Sequence, residues 1–481
     1  MSSDFASGDF SSDDDYEGLD PAEMQEYSRA AELVFAELQS RLGEGNPQPR
    51  LEPTRRVVEL LGDVHRAYPI IHIAGTNGKT STARLIESIL RAYGLSTGLF
   101  TSPHLITVNE RIVLDGVPVR DDVLVTNWLD IKPYVELVDR ELEAKSEPRL
   151  TFFEVMTVLA YATFADAPVD VAVVEAGLGG EWDSTNVADG AVAVFTPVDL
   201  DHMERLGSTI EAIARTKSGI IKPASMVISA TQAPEVRAVL EEAAELTEST
   251  LSFLSDTSEP QVGSPLAVVS RAMAVGGQLI TVQGLAGRYE DVFLALYGDH
   301  QADNAAVAIG AVESFLGGAS QALEEDVLSE AFATVSSPGR LQLVASDPTV
   351  LVDAAHNPHS AHSLARALKS YFSFDDITIV LAAFDDKDVE GIITALAPVA
   401  ARFVVTTAPS ERSRDALSVS QLVAEIVGAE KVVMEVDPVV AVTMARNFAA
   451  ASESGAVVVT GSISLVGLTL DLAHQTQGWT L

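Results

Sequence analysis

The sequence predicts an α/β protein: a P-loop-type domain on a mostly parallel sheet with a small antiparallel patch, then a smaller Rossmann-like α/β domain. Three observations carry this. Short apolar runs bounded by Gly, Asp or Pro alternate with helical stretches, the texture of parallel strands covered on both faces. A Gly-rich loop separates the strand Ile70 to Ile73 from the helical stretch Ser81 to Tyr93. A second strand–helix series begins after Ser336-Ser337-Pro338-Gly339.

Residues 1–19 hold acid, Ser and Gly with no base, including consecutive Asp13, Asp14 and Asp15. Such a segment buries too little to offset its ordering entropy, so a disordered acidic tail is expected. Order is expected from Asp20-Pro21-Ala22-Glu23, where Asp caps, Pro suits the first turn and Glu23 completes a capping box. Leu33, Val34, Leu38 and Leu42 continue that helix by their spacing. Thr97 to Phe100 reads as a strand, Thr151 to Phe164 as a helix, and Val169 to Val174 and Ala191 to Phe195 as further strands. Leu266 to Leu296, punctuated by Gly276, Gly277, Gly284 and Gly287, reads as the antiparallel patch. In the second series the strands are Val350 to Val352, Ile377 to Leu381, Phe403 to Thr406, Lys431 to Met434 and Ala456 to Val459. The expected domains are therefore 20–337 and 338–481, behind the tail 1–19.

The 481 residues carry 31 Lys plus Arg against 69 Asp plus Glu, a formal charge of −38. That surface repels nucleic-acid backbones and anionic lipid, so neither partner is expected, and an anionic substrate must meet local positive charge or a metal. The absence of cysteine rules out disulfides and thiolate zinc sites. No apolar run reaches the length of a membrane span, and the N-terminus lacks the basic and apolar regions of a signal peptide. A cytoplasmic protein is expected.

The segment Gly75-Thr76-Asn77-Gly78-Lys79-Thr80-Ser81 follows a strand and opens a helix. Backbone N–H groups of such a loop, with the helix dipole, cradle phosphates. Lys79 would reach the β- and γ-phosphates of ATP, with the Thr80 or Ser81 hydroxyl near Mg²⁺. The first Gly of the general phosphate-loop pattern falls at Ile73, so the loop is a variant. Glu175 ends a buried apolar strand, where a carboxylate serves either a metal or a salt bridge. Asn304 opens an Ala-rich helix, as a cap or as an amide that pairs with adenine.

The loop resembles that of the ATP-dependent Mur ligase superfamily, whose members join a carboxylate to an amine. Further motifs are similar to those of its folylpolyglutamate synthase branch. They include Thr101-Ser102-Pro103-His104-Leu105, Phe152-Phe153-Glu154, Asp183-Ser184-Thr185-Asn186, Asp201-His202, Lys217-Ser218-Gly219, Pro338-Gly339-Arg340 and Asp353-Ala354-Ala355-His356-Asn357-Pro358. They run in the family's order from about Leu51 to Gly467. The resemblance implies that Ser102, Glu175, His202 and Lys217 are metal ligands, Lys217 as a carbamylated lysine, with Lys79, Lys217 and His202 serving catalysis. It implies that Asn304, Arg340 and Asp353 join the Gly75–Ser81 loop around ATP. It also implies that Thr151, Phe152 and Phe153 line a slot for a pterin. A carbamate needs a neutral amine, hence a lysine pKa depressed by burial or nearby cations. The sequence departs from the family at Glu181, where Arg is usual, at Ala354 for Gly and at Ser464 for Tyr.

The expected reaction is acyl-phosphate ligation, joining L-glutamate to a folate at the expense of ATP with Mg²⁺, and to dihydropteroate as well, by a monomer. The alternatives are another carboxylate–amine ligase of the superfamily, or a nucleotide-binding regulator without ligase activity.

Overall fold

The computed structural model describes residues 20–475. The tail expected over 1–19 lies outside the described residues. Asp20 caps the helix Pro21–Gln39 as its sequence requires: its Oδ1 accepts from the N–H of Ala22 and Glu23, and Glu23 accepts from the N–H of Asp20. The helix stops short of Leu42, and Leu33 is 73% exposed while Ala31, Val34 and Leu38 face inward. The buried stripe thus runs one position off the reading, through a small alanine.

The first series supplies β1 (Ile70–Ala74), β2 (Thr97–Phe100), β3 (Ile112–Leu114), β4 (Val117–Pro118), β5 (Val171–Glu175), β6 (Val192–Phe195), β7 (Met226–Ser229) and β8 (Thr250–Phe253). They form one sheet in the order β4-β3-β2-β5-β1-β6-β7-β8. From β2 to β8 all neighbours are parallel; β3 and β4 add an antiparallel edge. Strand β1 is buried along its whole length, as a strand central to a sheet covered on both faces must be. Between Leu266 and Leu296 lie β9 (Ala267–Ala274), β10 (Gly277–Gln283) and β11 (Arg288–Leu294), the expected antiparallel patch.

The second series supplies β12 (Gln342–Ser346), β13 (Thr349–Val352), β14 (Asp376–Leu381), β15 (Arg402–Val405), β16 (Val432–Met434) and β17 (Gly455–Thr460), ordered β12-β13-β17-β14-β15-β16. All neighbours are parallel except the added edge strand β12. Lys431 falls in a 3₁₀ turn before β16 rather than in the strand.

This topology places the chemistry. Ligands of open parallel sheets gather at the carboxyl ends of the strands. In the first sheet, of three adjacent strands, β5 ends at Glu175, while β1 and β6 lead into Gly75 and into the turn before His202. In the second, β13, β17 and β14 lead into Asp353, Ser464 and Lys387. Residues after all six strand ends line one cleft between the sheets.

Candidate active site

The cleft measures about 1100 Å³. At its centre the chain leaves β1 through Gly75 and enters the helix Lys79–Ala92 at Gly78, two residues earlier than the expected start at Ser81. A Cβ on Gly75 would fall 1.9 Å from Thr196 Oγ1. Gly78 has φ +86°, and a Cβ there would meet Asn304 Oδ1 at 2.8 Å. Glycine is thus required twice, for close approach and for a left-handed turn. Thr76 is pinned by its N–H to Pro197 O (2.9 Å) and by its hydroxyl to Asp199 O (3.1 Å).

Lys79 lies half-buried, its Nζ 3.5 Å from Thr76 O and 3.9 Å from Glu175 Oε1. Thr80 Oγ1 donates to Glu175 Oε2 at 2.9 Å. Ser81 is otherwise engaged: its Oγ pairs with Ser337 Oγ at 2.9 Å and accepts from Gln301 Nε2 at 3.3 Å. Of the two candidate hydroxyls, Thr80 is the one beside the carboxylate. Burial raises the Glu175 pKa, opposed by the Lys79 charge, the Thr80 hydrogen bond, Arg340 and the Ser102 N–H.

Lys217, at the last turn of the helix Ile210–Ser218, is buried and donates from Nζ to Gly75 O at 2.8 Å. Burial, and next the charge of Lys79, lower its pKa to about 7. His202 stands at φ +49° with Nε2 3.8 Å from Asp201 Oδ2. Burial and then Lys387 lower its pKa to about 4, so the ring is neutral at pH 7. Of the four implied metal ligands, Ser102 meets Glu175, while His202 and Lys217 line the same cleft with other partners. Among the described residues no group of three or more His, Cys, Asp or Glu is gathered for a cation.

From the opposite wall, Asn357 Nδ2 donates to Asn77 Oδ1 at 2.9 Å, and Asn77 Nδ2 lies 3.1 Å from His359 Nδ1. Lys387 Nζ meets Asp201 Oδ1 at 2.8 Å, with His356 Nε2 3.8 Å from Oδ2. Arg340 lines the cleft half-buried. Both oxygens of Asp353 accept backbone N–H groups, of Leu341 and Ala355, each at 2.8 Å, so its carboxylate pins the turn that carries Arg340. Asn304 donates to Gln301 Oε1 at 3.1 Å and closes over Gly78.

The aromatic pair splits. Thr151 caps the helix Phe152–Asp166 and lines the cleft with Phe153, which stacks on Phe100 at 5.8 Å. Phe152 lies on the other side of the helix from the expected slot. It is 6% exposed, packs in the core beneath the Arg111 guanidinium (5.0 Å) and does not line the cleft. Adjacent helix positions point about 100° apart, which lets one ring face the cleft while the other enters the core.

Sequence reasoning passed over Arg111, Glu44 and Lys387. Arg111 is 2% exposed, donates to both oxygens of Glu44 (2.6 and 3.1 Å) and gives its Nε to His104 Nδ1 (2.8 Å). Lys387 is a single base inside Asp385-Asp386-Lys387-Asp388, a local signal that could have marked it.

The model of the Mur ligase middle domain matches residues 73–312, and that of the Mur ligase, glutamate ligase domain matches 339–463. A Mycobacterium tuberculosis dihydrofolate synthase/folylpolyglutamate synthase is 44% identical over 400 residues, 80% of each chain. Folylpolyglutamate synthase of Mycobacterium tuberculosis complexed with ADP superposes with a TM-score of 0.87 at 39% identity, covering 93% of this chain and 99% of that one. An E. coli protein in complex with DHPP and ADP gives 0.78 at 26% identity, over 93% and 98%.

Proposed function

The chain belongs to the dihydrofolate synthase/folylpolyglutamate synthase family of Mur ligases, and on that premise we propose that it joins L-glutamate to the γ-carboxyl of a folate with ATP. The observation that carries the reading is the convergence of the Gly75–Thr80 loop, Glu175 and Lys217 with Arg340 across one cleft that also holds Phe153.

ATP lies with its phosphates on the loop N–H groups of Gly75 to Thr80, Lys79 and Arg340 offset their charge, and Asn304 lies beside the loop for the base. The residues fit Mg²⁺: Glu175 and Thr80 are hard oxygen donors, and a buried carboxylate with one hydroxyl partner is stabilised in its charged form by a cation. Magnesium is commonly held by one or two carboxylates plus substrate phosphates, which suits a cleft in which the described residues form no preassembled cage. Glu175, Ser102, His202 and a carbamylated Lys217 would hold it, and it would supply charge neutralisation on the phosphoryl group.

The folate carboxylate oxygen attacks the γ-phosphorus, the bond to the bridging oxygen breaks, and ADP leaves. The glutamate amine then attacks the acyl carbon, phosphate departs, and the ammonium proton is lost. Contacts of Asn77 with Asn357 and of Asp201 with Lys387 keep the walls together, excluding water that would hydrolyse the acyl phosphate. Thr151 and Phe153 border the pterin end of the acceptor.

The same chemistry serves dihydropteroate, whose benzoate carboxylate replaces the γ-carboxyl; relatives named for both activities support a second reaction. We place the boundary of the two domains at Pro338, and assign the protein to the cytoplasm as a monomer. Glutamate-dependent phosphate release with a tetrahydrofolate, with the γ-linked product identified by mass spectrometry, tests the reading. Phosphate release indifferent to folate and glutamate would defeat it.

A further inference from the structure

Strand β1 carries an expense that its fold does not need. His72 sits at its middle, fully buried among Ile71, Ile73 and the neighbouring strands, where an aliphatic side chain would pack without any polar atom to satisfy. Its Nε2 lies 2.9 Å from Thr185 Oγ1, and Nδ1 is buried with no hydrogen-bond partner among the described residues. Leaving a buried ring nitrogen unpaired costs about 1–3 kcal/mol, so the group calls for an explanation.

Proton positions follow from the neighbours. The Thr185 hydroxyl donates to Asp183 Oδ1, so it has only lone pairs left for the imidazole. His72 must therefore donate from Nε2, and burial, helped by the charge of Lys222, keeps its ring neutral by lowering the pKa to about 3. The chain of donors ends on Asp183. That carboxylate also accepts the N–H of Thr185 at 3.0 Å through Oδ1 and of Leu178 at 2.8 Å through Oδ2. It thus ties down the loop after β5, in which Gly177, Leu178, Trp182 and Asp183 line the cleft. At Gly177 the loop runs against the Phe153 ring so closely that a Cβ would fall 2.5 Å from it. Glu181 N–H on the same loop donates to Thr216 O at 2.7 Å, next to Lys217.

We infer that His72 is a positioning residue for the acceptor. Through Thr185 it holds Asp183, and with it the Gly177–Asp183 loop, at the spacing from Phe153 that the acceptor's ring requires. The inference rests on the reading that Phe153 borders the acceptor. It adds that the strand feeding the nucleotide loop also sets the shape of the acceptor slot.

The test uses the full-length enzyme and four proteins: parent, Thr185→Val, Thr185→Ser and His72→Gln. Valine keeps the shape of threonine and removes the relay; serine keeps the hydroxyl. The apparent KM for tetrahydrofolate and for ATP is read for each, with thermal unfolding as a check on folding. Thr185→Val is expected to raise the folate KM about tenfold, as for one lost hydrogen bond to a charged group, and to leave the ATP KM within about twofold. Thr185→Ser is expected to stay within about twofold of the parent for both. His72→Gln, which still offers a side-chain N–H, is expected to fall between them, and carries the comparison if the valine variant does not fold. A parallel rise of both KM values, or a valine variant equal to the parent, would overturn the inference while leaving ligation intact. A parent that releases no phosphate with folate and glutamate would overturn the underlying reading instead.

Discussion

Withdrawing dissolved CO₂ is the perturbation that bears hardest on the proposed metal site. An ordinary lysine has a pKa of 10.5, whereas burial and the nearby Lys79 bring Lys217 to about 7. At pH 7 the neutral amine therefore rises from about one molecule in three thousand to about one in two. Only the neutral form adds CO₂, so burial makes Lys217 roughly a thousand times more competent than a surface lysine at this pH. The adduct keeps one N–H, so the bond to Gly75 O can persist while the new carboxylate turns to the cleft. Enzyme equilibrated in CO₂-free buffer should lose most of its folate-dependent phosphate release and regain it with bicarbonate. The regain should be slight below pH 6 and complete above pH 8, following the neutral amine through its pKa of about 7. Labelled bicarbonate should give a carbamate carbon resonance that Lys217→Ala lacks, and short carboxylates should partly restore that variant. An active enzyme showing no adduct by this resonance, and indifferent to CO₂, would leave Lys217 an unmodified amine and overturn its place in the metal site. The sign for stability is the reverse of a salt-bridged lysine. The unfolded chain holds the proton between pH 7 and 10.5 while the native state has lost it, so stability from this residue rises with pH across that window.

Lys79→Ala should lower turnover on the order of 10²-fold or more at saturating ATP with unfolding unchanged, since the side chain lines the cleft rather than the core; near-normal turnover would show the loop misassigned. Phe153→Ala should raise the KM for the pteridine substrate more than that for ATP, whereas Phe152→Ala should cost about 3–5 kcal/mol of stability as a core truncation; equal effects from both would return Phe153 to the core. Lys387→Met should strand the Asp201 carboxylate, loosening the cleft by about 3 kcal/mol, seen as faster proteolysis between the two sheets. Burial alone would raise the Asp201 pKa, but the neighbouring His356 imidazole and the Lys387 charge hold it well below the usual range. That contribution is therefore complete above the ordinary aspartate pKa of about 4 and fades only as pH falls below it; a parent and variant with the same proteolysis rate at pH 7 would exclude the latch.

What the sequence disclosed was local. The Asp20 capping box is written within a few consecutive residues and stands as read; the Gly75–Thr80 loop is equally local in sequence, with its helix opening at Lys79 rather than at Ser81. Strands β7 and β8 went unplaced because four residues beside long helical stretches carry little periodicity. Ser81 and Phe152 follow immediately after Thr80 and before Phe153, and which neighbour faces the cleft depends on partners far away: Ser337 for one, Arg111 for the other. Arg111 finds Glu44 across 67 residues, and Lys387 finds Asp201 across 186. Lys387 stands out locally as a lone base among acids, but nothing near it in sequence says that Asp201 is what it meets, and Arg111 carries no such mark.

The reciprocal amide contact between Asn77 and Asn357 makes the Gly75–Thr80 loop a structural member of the joint between the sheets. Any motion that parts the walls must strip a partner from the loop, and any nucleotide that orders the loop strengthens the joint. On the proposed placement of ATP, what the nucleotide adds to closure of the cleft equals what closure adds to the grip on the nucleotide, by reciprocity. A single substitution at Asn77 reports both at once. A double-mutant cycle of Asn77→Ala with Asn357→Ala separates them, because the joint's share appears only in the interaction energy of the pair.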